Sequence, residues 1–342
     1  MFSYKTRQFF RRLLVVLLVG LVLLSVALVF FAVWLRRFVV YTPDGVRLDM
    51  SIGAAGVPGK VPSQPDKVEV GLEFIEPDES VPDVPVVQQK RLDGYYIDAK
   101  MVQSDMAGLR AQLAQLPSGT AVMLDVKSFW GYFFYSSAQG PHADSYVQSE
   151  VDALIADLVA SELYVIARLP ALRDYYYGLN NVPSGLPTNK GYLWTDDSGC
   201  YWLDPTDDGT LTYLIQIARE LRSLGFDEVV FKDFYVPQAS KIVFKADRKE
   251  SIEAAAQTLV TACATDSFAV SFVGYIPDLK MPEGNCRLYL ENVAAVQVQD
   301  LLLQVQVSDK LRNVVFLAET NDTRYDAYSC LKPITLMNNP QQ

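Results

Sequence analysis

The chain has 342 residues, of which 50% are hydrophobic and 20% are charged, and its formal net charge is −10. This composition excludes a disordered or collagen-like protein and leaves room for one large domain or two small ones. The acidic balance argues against binding to nucleic acid or to an anionic surface.

The first element of the chain is an uncharged, apolar stretch over residues 13–35. Its roughly 23 residues are enough to span a bilayer core. Lys5, Arg7, Arg11 and Arg12 precede it and only Arg36 and Arg37 follow closely, so we expect residues 1–12 in the cytoplasm and the rest of the chain exported. A cleaved signal peptide is the alternative, but its apolar region usually runs only about 7–15 residues and ends in small side chains. The sequence therefore predicts an uncleaved, single-pass anchor in the cell membrane.

Residues 36–90 are predicted to form an extracytoplasmic stalk or linker. Residues 39–49 are typical of a short extended piece with a turn at positions 43–45. The many prolines and glycines of residues 51–85 favour extended, semi-rigid chain, interrupted by a strand at residues 68–75. Outside the first 37 residues the chain has 24 basic and 40 acidic residues, a net charge of −16.

From residue 91 to residue 342 the pattern alternates between short apolar runs and helical stretches. The predicted strands cover residues 94–98, 121–125, 164–168, 228–231, 268–273, 293–298 and 314–318. The predicted helices cover residues 105–116, 145–162, 211–224, 251–264 and 301–311, and Gly225 suits a left-handed cap. A long loop at residues 169–207 follows the third strand, and long loops inside compact domains are usually functional.

Strand–helix alternation with strands apolar on both faces predicts either a closed parallel barrel or a doubly wound sheet. No Gly-x-Gly-x-x-Gly motif or Walker loop is present, so the nucleotide sites typical of open sheets lack their residues. We therefore predict an α/β fold, a (β/α)8 TIM-like barrel, whose eighth strand must come from the ends of the domain. Polar residues end several predicted strands and should converge on one face, where barrel active sites are built: Asp98, Asp125, Arg168, Asp233 and Glu319.

No metal or cofactor is predicted. The single histidine, His142, excludes a multi-histidine metal site. The four cysteines, Cys200, Cys263, Cys286 and Cys330, have no C-x-x-C spacing. They could form two disulfides outside the cell or remain buried as free thiols, and both alternatives stay open.

Five segments in order carry a resemblance to a known family. They are Val122-Met-Leu-Asp-Val-Lys127, Leu163-Tyr-Val-Ile-Ala-Arg168 with Asp174, Gly191-Tyr-Leu-Trp194 with Tyr201-Trp-Leu-Asp-Pro205, Ala218-Arg-Glu-Leu, and Leu224-Gly-Phe-Asp-Glu228. Over about 120 residues, 121–237, the chain resembles the family described as putative glycosyl hydrolases. The resemblance implies a TIM barrel and hydrolysis of glycosidic bonds.

One segment departs from the family pattern. The family strand Phe-Asp-Tyr-x-Arg-Phe-Pro is replaced here by Phe231-Lys-Asp-Phe-Tyr-Val-Pro237, which places Lys232 at the Asp position and Tyr235 at the Arg position. Asp233 is displaced by one residue, and such a shift along a strand turns a side chain to the opposite face. A bulge that rotates Asp233 inward would restore a carboxylate to the site.

Glycoside hydrolysis needs two carboxylates across the scissile bond. The predicted catalytic pair is Asp125 and Asp233, with Asp98, Glu291 and Glu319 as substitutes. The structural alternatives are that Asp125 pairs with Arg168 at the barrel rim and that Asp233 is a helix cap or salt-bridge partner. Glu228 comes at the start of its strand, at the bottom of the barrel, where polar residues contribute to stability.

The predicted substrate-binding residues are of two kinds. Arg168, Lys232 and Tyr235 offer polar contacts, and the loop aromatics Trp130, Tyr175, Trp194 and Trp202 can stack on sugar faces. The alternative for the aromatics is a hydrophobic lid over the barrel mouth. The sequence thus predicts a membrane-anchored, extracellular glycoside hydrolase-like barrel whose partner is polysaccharide or cell-wall glycan. The rival function is an inactive barrel that binds glycan or serves as an envelope scaffold.

Overall fold

The computed structural model describes residues 39–42, 45–48, 89–97, 99–274 and 280–337. They fall into two units, residues 1–82 and residues 83–342. The predicted anchor, the cytoplasmic N-terminus, the proline-rich stretch at 51–85 and the strand at 68–75 lie outside the described residues. Within the described ranges, no helix combines the length and hydropathy needed to cross a membrane.

The described part of the first unit is a pair of short strands. β1 (Val39–Thr42) runs antiparallel to β2 (Gly45–Leu48), with Val39 opposite Leu48 and Thr42 opposite Gly45. The extended piece predicted at residues 39–49 is therefore confirmed as a two-stranded ladder.

The second unit is a closed barrel of eight parallel strands. They are β3 (Asp93–Ile97), β4 (Ala121–Asp125), β5 (Tyr164–Pro170), β6 (Glu228–Lys232), β7 (Ala269–Val273), β8 (Leu288–Glu291), β9 (Val314–Leu317) and β10 (Ser329–Pro333). Consecutive strands are neighbours, and β10 closes the barrel by pairing with both β9 and β3. The predicted TIM-like barrel is confirmed, and its eighth strand comes from the C-terminal part of the domain.

Helices cover the outside of the barrel. They are α1 (Ala99–Ser104), α2 (Met106–Leu113), α3 (Gln148–Val159), α4 (Tyr175–Asn180), α5 (Asp208–Ser223), α6 (Arg248–Cys263), α7 (Val298–Gln304) and α8 (Lys310–Asn313). Asp105, Asp207 and Asp247 cap α2, α5 and α6 by accepting hydrogen bonds from backbone N–H groups of the first turn. Gly225, just after α5, has φ of 95°, which confirms its predicted left-handed cap.

The predicted strand at residues 293–298 is wrong. The strand is Leu288–Glu291, because Tyr289 fits the barrel interior while Leu288 and Leu290 pack outside it. The apolar run that follows contains a 3-10 turn at Ala295–Gln297 and leaves Val296 70% exposed. The predicted helix at 301–311 is likewise divided between α7 and α8.

The alternation of side chains along the strands decides which residues face the barrel axis. Met123, Ile166, Val230 and Tyr289 belong to the interior cluster, whereas Val229 and Phe231 pack in the cluster that includes the surrounding helices. Because the side-chain period of a strand is two, the residues two positions further also face the axis. At the carboxyl ends of the strands these residues are Asp125, Arg168, Lys232 and Glu291.

All four cysteines lie in the described ranges, and each is buried and unpaired. Burial raises the pKa of the Cys200 thiol to about 12. The free-thiol alternative therefore holds in this structure, and these side chains act as small apolar groups.

Candidate active site

An arginine shared by two carboxylates occupies the carboxyl end of the barrel. Arg168 donates from Nε and Nη2 to Asp125 Oδ1 and Oδ2 at 2.6 and 3.1 Å. Its Nη1 donates to Glu291 Oε1 at 2.8 Å. Burial alone would lower the pKa of Arg168, but the two carboxylates outweigh it and raise that pKa. The side chains are 10–16% exposed, so this triad joins β4, β5 and β8 while remaining open to solvent.

Asp233 reaches the same region through an unusual backbone conformation. It directly follows β6 and has φ of 51°, a left-handed value that Asp tolerates better than most residues. Its carboxylate lies within the electrostatic influence of Lys232, Arg173 and Glu291. A left-handed residue, and not the bulge that the sequence suggested, thus leads the chain out of β6, and it leaves Asp233 near the barrel mouth.

The environment of Asp233 differs from that of the Arg168 triad. Burial raises the pKa of Asp233, although the charges of Lys232 and Arg173 act in the opposite direction. Glu291 adds to the rise because two like charges disfavour each other. Among the described residues, no hydrogen-bond or ion-pair partner holds this carboxylate. It is a carboxyl group suited to carrying a proton.

The other residues predicted from the β6 segment lie beside it. Lys232 is half-buried and faces the barrel axis, and the ion pairs of the described chain do not include it. Its carbonyl accepts a hydrogen bond from Ala171 N at 2.8 Å, which joins the long loop to β6. Tyr235 packs on Trp202 with ring centroids 4.8 Å apart, and burial raises the pKa of its phenol.

The predicted aromatic contacts divide into accessible and buried rings. Trp130 is 39% exposed and meets the half-buried Tyr175 edge-on, with ring centroids 5.4 Å apart. Trp194 is also half-buried and lies 6.4 Å from Trp202. Trp202 is only 3% exposed, and its indole N–H donates to Asp196 Oδ2 at 3.1 Å. Trp202 therefore packs beneath the loop in this structure, and its stacking on a sugar stays a prediction.

A buried ion pair that the sequence reasoning missed holds the long loop in place. Lys127 Nζ lies 2.7 Å from Asp174 Oδ2, and both side chains are fully buried. Asp174 also accepts from Tyr213 OH at 2.9 Å and from the backbone N–H of Tyr177, which caps α4. Lys127 and Asp174 both occur in the segments that carry the family resemblance. A charged residue within or next to an apolar segment is the sequence signal that could have indicated this buried ion pair.

The remaining candidate carboxylates lie in three different places. Glu228 begins β6 at the amino end of the barrel, as predicted, and forms a buried ion pair with Arg287. Glu291, named from the sequence as a substitute carboxylate, is the last residue of β8 and belongs to the Arg168 triad. Glu319 is exposed two residues beyond β9. Asp98 lies outside the described residues.

The sequence of the barrel matches a known protein family. The family model described as "Putative glycosyl hydrolase domain" matches residues 94–270. No curated protein matches the chain.

Solved structures give more distant matches. A hypothetical protein from Ruminiclostridium thermocellum ATCC 27405 is 24% identical, with a TM-score of 0.45, over 52% of this chain and 96% of that one. A β-N-acetylhexosaminidase from Bacteroides fragilis NCTC 9343 is 12% identical, with a TM-score of 0.47, over 68% and 51%. A GH36 α-galactosidase from Geobacillus stearothermophilus is 12% identical, with a TM-score of 0.46, over 73% and 39%. This chain thus covers about half or less of the two named enzymes. By the match of the family model over more than half of its length, the chain belongs to the putative glycosyl hydrolase domain family.

Proposed function

We propose that this protein is a membrane-anchored glycoside hydrolase that acts on polysaccharide or cell-wall glycan outside the cytoplasm. The observation that carries the proposal is the meeting of three carboxylates at one end of the barrel. Asp125 and Glu291 are bound to Arg168, whereas Asp233 has no such partner among the described residues and has a raised pKa. Glycosidases divide the work between carboxyl groups in two such environments.

In the proposed reaction, Asp233 is the general acid. It gives its proton to the glycosidic oxygen as the bond between that oxygen and the anomeric carbon breaks. Asp125 or Glu291, ion-paired and therefore charged, is the nucleophile or the base that activates water. Asp125 and Glu291 lie close to each other because both bind the guanidinium of Arg168, and Glu291 is near enough to Asp233 for its charge to act on that carboxyl group. Water supplies the oxygen that ends on the anomeric carbon and the proton that restores Asp233.

The substrate contacts proposed from the sequence then have distinct roles. Arg168 and Lys232 face the barrel axis and donate hydrogen bonds to sugar oxygens. Trp130 and Tyr175, which are already packed against each other, stack on sugar faces with little loss of side-chain freedom. Trp194 and Tyr235 both lie next to Trp202.

Product analysis tests the proposal. The full-length protein in a mild detergent is incubated with a panel of bacterial and plant polysaccharides, beside Asp125→Asn, Glu291→Gln and Asp233→Asn variants. We expect release of oligosaccharides, reduced about 10²–10⁴-fold in Asp233→Asn because proton transfer is lost. Asp266→Asn, an exposed carboxylate at the amino end of β7, is the matched control and should retain full activity.

A second candidate function is glycan binding without hydrolysis. It is favoured by Arg168, which binds both Asp125 and Glu291, and by Lys232, which stands where the pattern of the resembled family has an Asp. Glycan binding with no product from any polysaccharide, unchanged by Asp233→Asn, would support this second function and reject the first.

The location is part of the proposal. We infer that residues 13–35 anchor the protein in the cell membrane, with the barrel on the extracytoplasmic side. Protease added to intact cells should then degrade the barrel while residues 1–12 remain protected. Protection of the barrel in intact cells would contradict this orientation.

A further inference from the structure

A cavity of about 460 Å³ opens beside the candidate active site. One wall is formed by residues 292–296, which follow β8, and the other by residues that follow β9. The first wall begins one residue after Glu291. Leu317, part of the lining, also belongs to the cluster inside the barrel. The cavity is therefore on the carboxyl end of the barrel, next to the Arg168 triad.

The polar side of the cavity is a fixed aspartate–arginine pair. Asp322 Oδ1 and Oδ2 accept from Arg324 Nε and Nη2 at 2.9 and 2.6 Å, and Oδ1 also accepts from the Arg324 backbone N–H at 3.0 Å. Two parallel hydrogen bonds hold both groups in one plane. The edges of this plane that remain free offer N–H donors and carboxylate lone pairs side by side. Sugar hydroxyls are both donors and acceptors, so such a plane can bind adjacent hydroxyls.

The opposite wall is apolar. It consists of Val293, Ala294, Ala295 and Val296, and Tyr325 OH donates to Val293 O at 2.6 Å, which joins the two walls. Asn292, at the start of this wall, has φ of 57°. The described residues contain three non-glycine residues with positive φ, and two of them, Asp233 and Asn292, directly follow strands at this end of the barrel. Strained backbone of this kind tends to occur at functional sites.

We propose that this cavity is a second sugar-binding subsite, continuous with the site at Asp233 and Glu291, so that the protein binds oligosaccharides rather than single sugars. The inference rests on the proposed function and extends it to the size of the substrate. The volume lies within the range of about 300–1,000 Å³ that ligand sites occupy. An apolar wall contacts the C–H face of a sugar while the Asp322–Arg324 plane binds its hydroxyls. A chain that reaches from the barrel mouth into the cavity gains contacts that a disaccharide lacks.

Two variants change the cavity by different means. Arg324→Ala removes the donor plane at a position whose side chain is 50% exposed, and Ala294→Trp fills the space from the opposite wall. Arg312→Ala is the matched control, because Arg312 forms a comparable surface pair with Asp309 at 3.4 Å but lies before β9, at the other end of the barrel.

Calorimetric titration of the full-length protein in detergent measures binding of disaccharides and hexasaccharides of β-1,4-linked glucose, β-1,4-linked N-acetylglucosamine and β-1,4-linked xylose. We expect hexasaccharides to bind about tenfold more tightly than disaccharides to the unmodified protein. Both cavity variants should lose most of that difference, with disaccharide affinity and the Arg312→Ala protein unchanged.

The outcomes separate this inference from the proposed function. Hexasaccharide binding that is equally tight in the unmodified protein and in both cavity variants would reject the subsite and leave the function at Asp233 standing. Equal affinity of disaccharide and hexasaccharide in the unmodified protein would also reject it. Binding of none of the probes at millimolar concentration would contradict both the subsite and the proposed function.

Discussion

The two ends of the barrel each contain an arginine bound to carboxylate, but in opposite settings. At the amino end, Arg287 pairs with one carboxylate, Glu228, and the two side chains are 3% and 0% exposed. At the carboxyl end, Arg168 is shared by Asp125 and Glu291, and the side chains are 10–16% exposed. The first group is neutral and sealed from water. The second has two carboxylates for one guanidinium, so solvent or a ligand must balance the extra negative charge. Unbalanced charge of this kind is common in functional sites and rare in protein cores.

The largest effect is expected at the sealed end. Arg287→Met removes the ion-pair partner of the buried Glu228 and leaves Tyr164 OH, at 3.0 Å, as its hydrogen-bond donor among the described residues. Breaking a buried pair in this way lowers the free energy of unfolding by about 3–5 kcal/mol. Urea unfolding of the full-length protein measures the change. The double variant Arg287→Met with Glu228→Gln should recover a large part of it, and no recovery would mean that packing, not charge, sets the loss.

A smaller stability change is expected for the same substitution at the open end. Arg168→Met releases Asp125 and Glu291 toward water, which can solvate both, so we expect a loss of about 1–2 kcal/mol in the free energy of unfolding. Glycan hydrolysis should fall by at least about 100-fold, because the two carboxylates lose the group that positions them. If Arg168→Met lowers the free energy of unfolding as much as Arg287→Met does, the two arginine groups do not differ in their access to water as we infer.

The sequence predicted the parts of this molecule in which local pattern and global fold agree. Asp125 ends the strand predicted for it, Gly225 caps its helix, and Glu228 lies at the sealed end, because each depends on strand length, backbone conformation or strand direction. Strand β8 was placed too late because Val293-Ala-Ala-Val296 is as apolar as Leu288-Tyr-Leu290. Only pairing with β7 and β9 selects the earlier run.

The candidate site was harder to predict than the fold for a related reason. Glu291 was named only as a substitute carboxylate, and its place in the site depends on where β8 ends. The direction of Asp233 depends on a single left-handed φ, for which a one-residue shift in sequence gives no signal. Trp202 is a residue type that often contacts sugars, but here it is buried and its indole N–H donates to Asp196. Such effects arise from tertiary contacts and not from spacing.

A third substitution, at the open end, is expected to stabilise the folded protein. Burial raises the pKa of Asp233 in the folded protein, so its charged form destabilises the fold above that raised pKa. Asp233→Asn removes the charge and keeps a residue that tolerates the left-handed conformation, so we expect a gain of about 0.5–1 kcal/mol at pH 7.

The pH dependence of that gain has a definite sign. As the pH falls through the raised pKa, Asp233 becomes protonated in the folded protein and the advantage of Asn disappears. Thermal unfolding measured from pH 7 down to pH 3 should show the two proteins converge. A gain that stays constant over this range would assign the effect to backbone conformation instead of charge.

The smallest effect is expected outside both arginine groups. The Asp322–Arg324 pair lies at the surface, with side chains 25% and 50% exposed, so Arg324→Ala should leave the midpoint of thermal unfolding unchanged within experimental error. The measurement also serves as the folding control for the cavity variants. A clear drop in the midpoint would show that this loop supports the barrel rather than a ligand.

Closure of the barrel by β10 sets the order in which the domain can be completed. Cys330 lies opposite Asp93 in the β10–β3 ladder, and Leu92 N–H donates to Ser329 Oγ at 2.9 Å. The strand pairing that closes the barrel therefore joins residues more than two hundred positions apart in the chain. Until residues 329–333 have been synthesised, β3 and β9 each expose an unpaired edge, which is a template for aggregation. The barrel therefore has two open edges for as long as seven of its strands are present without the eighth.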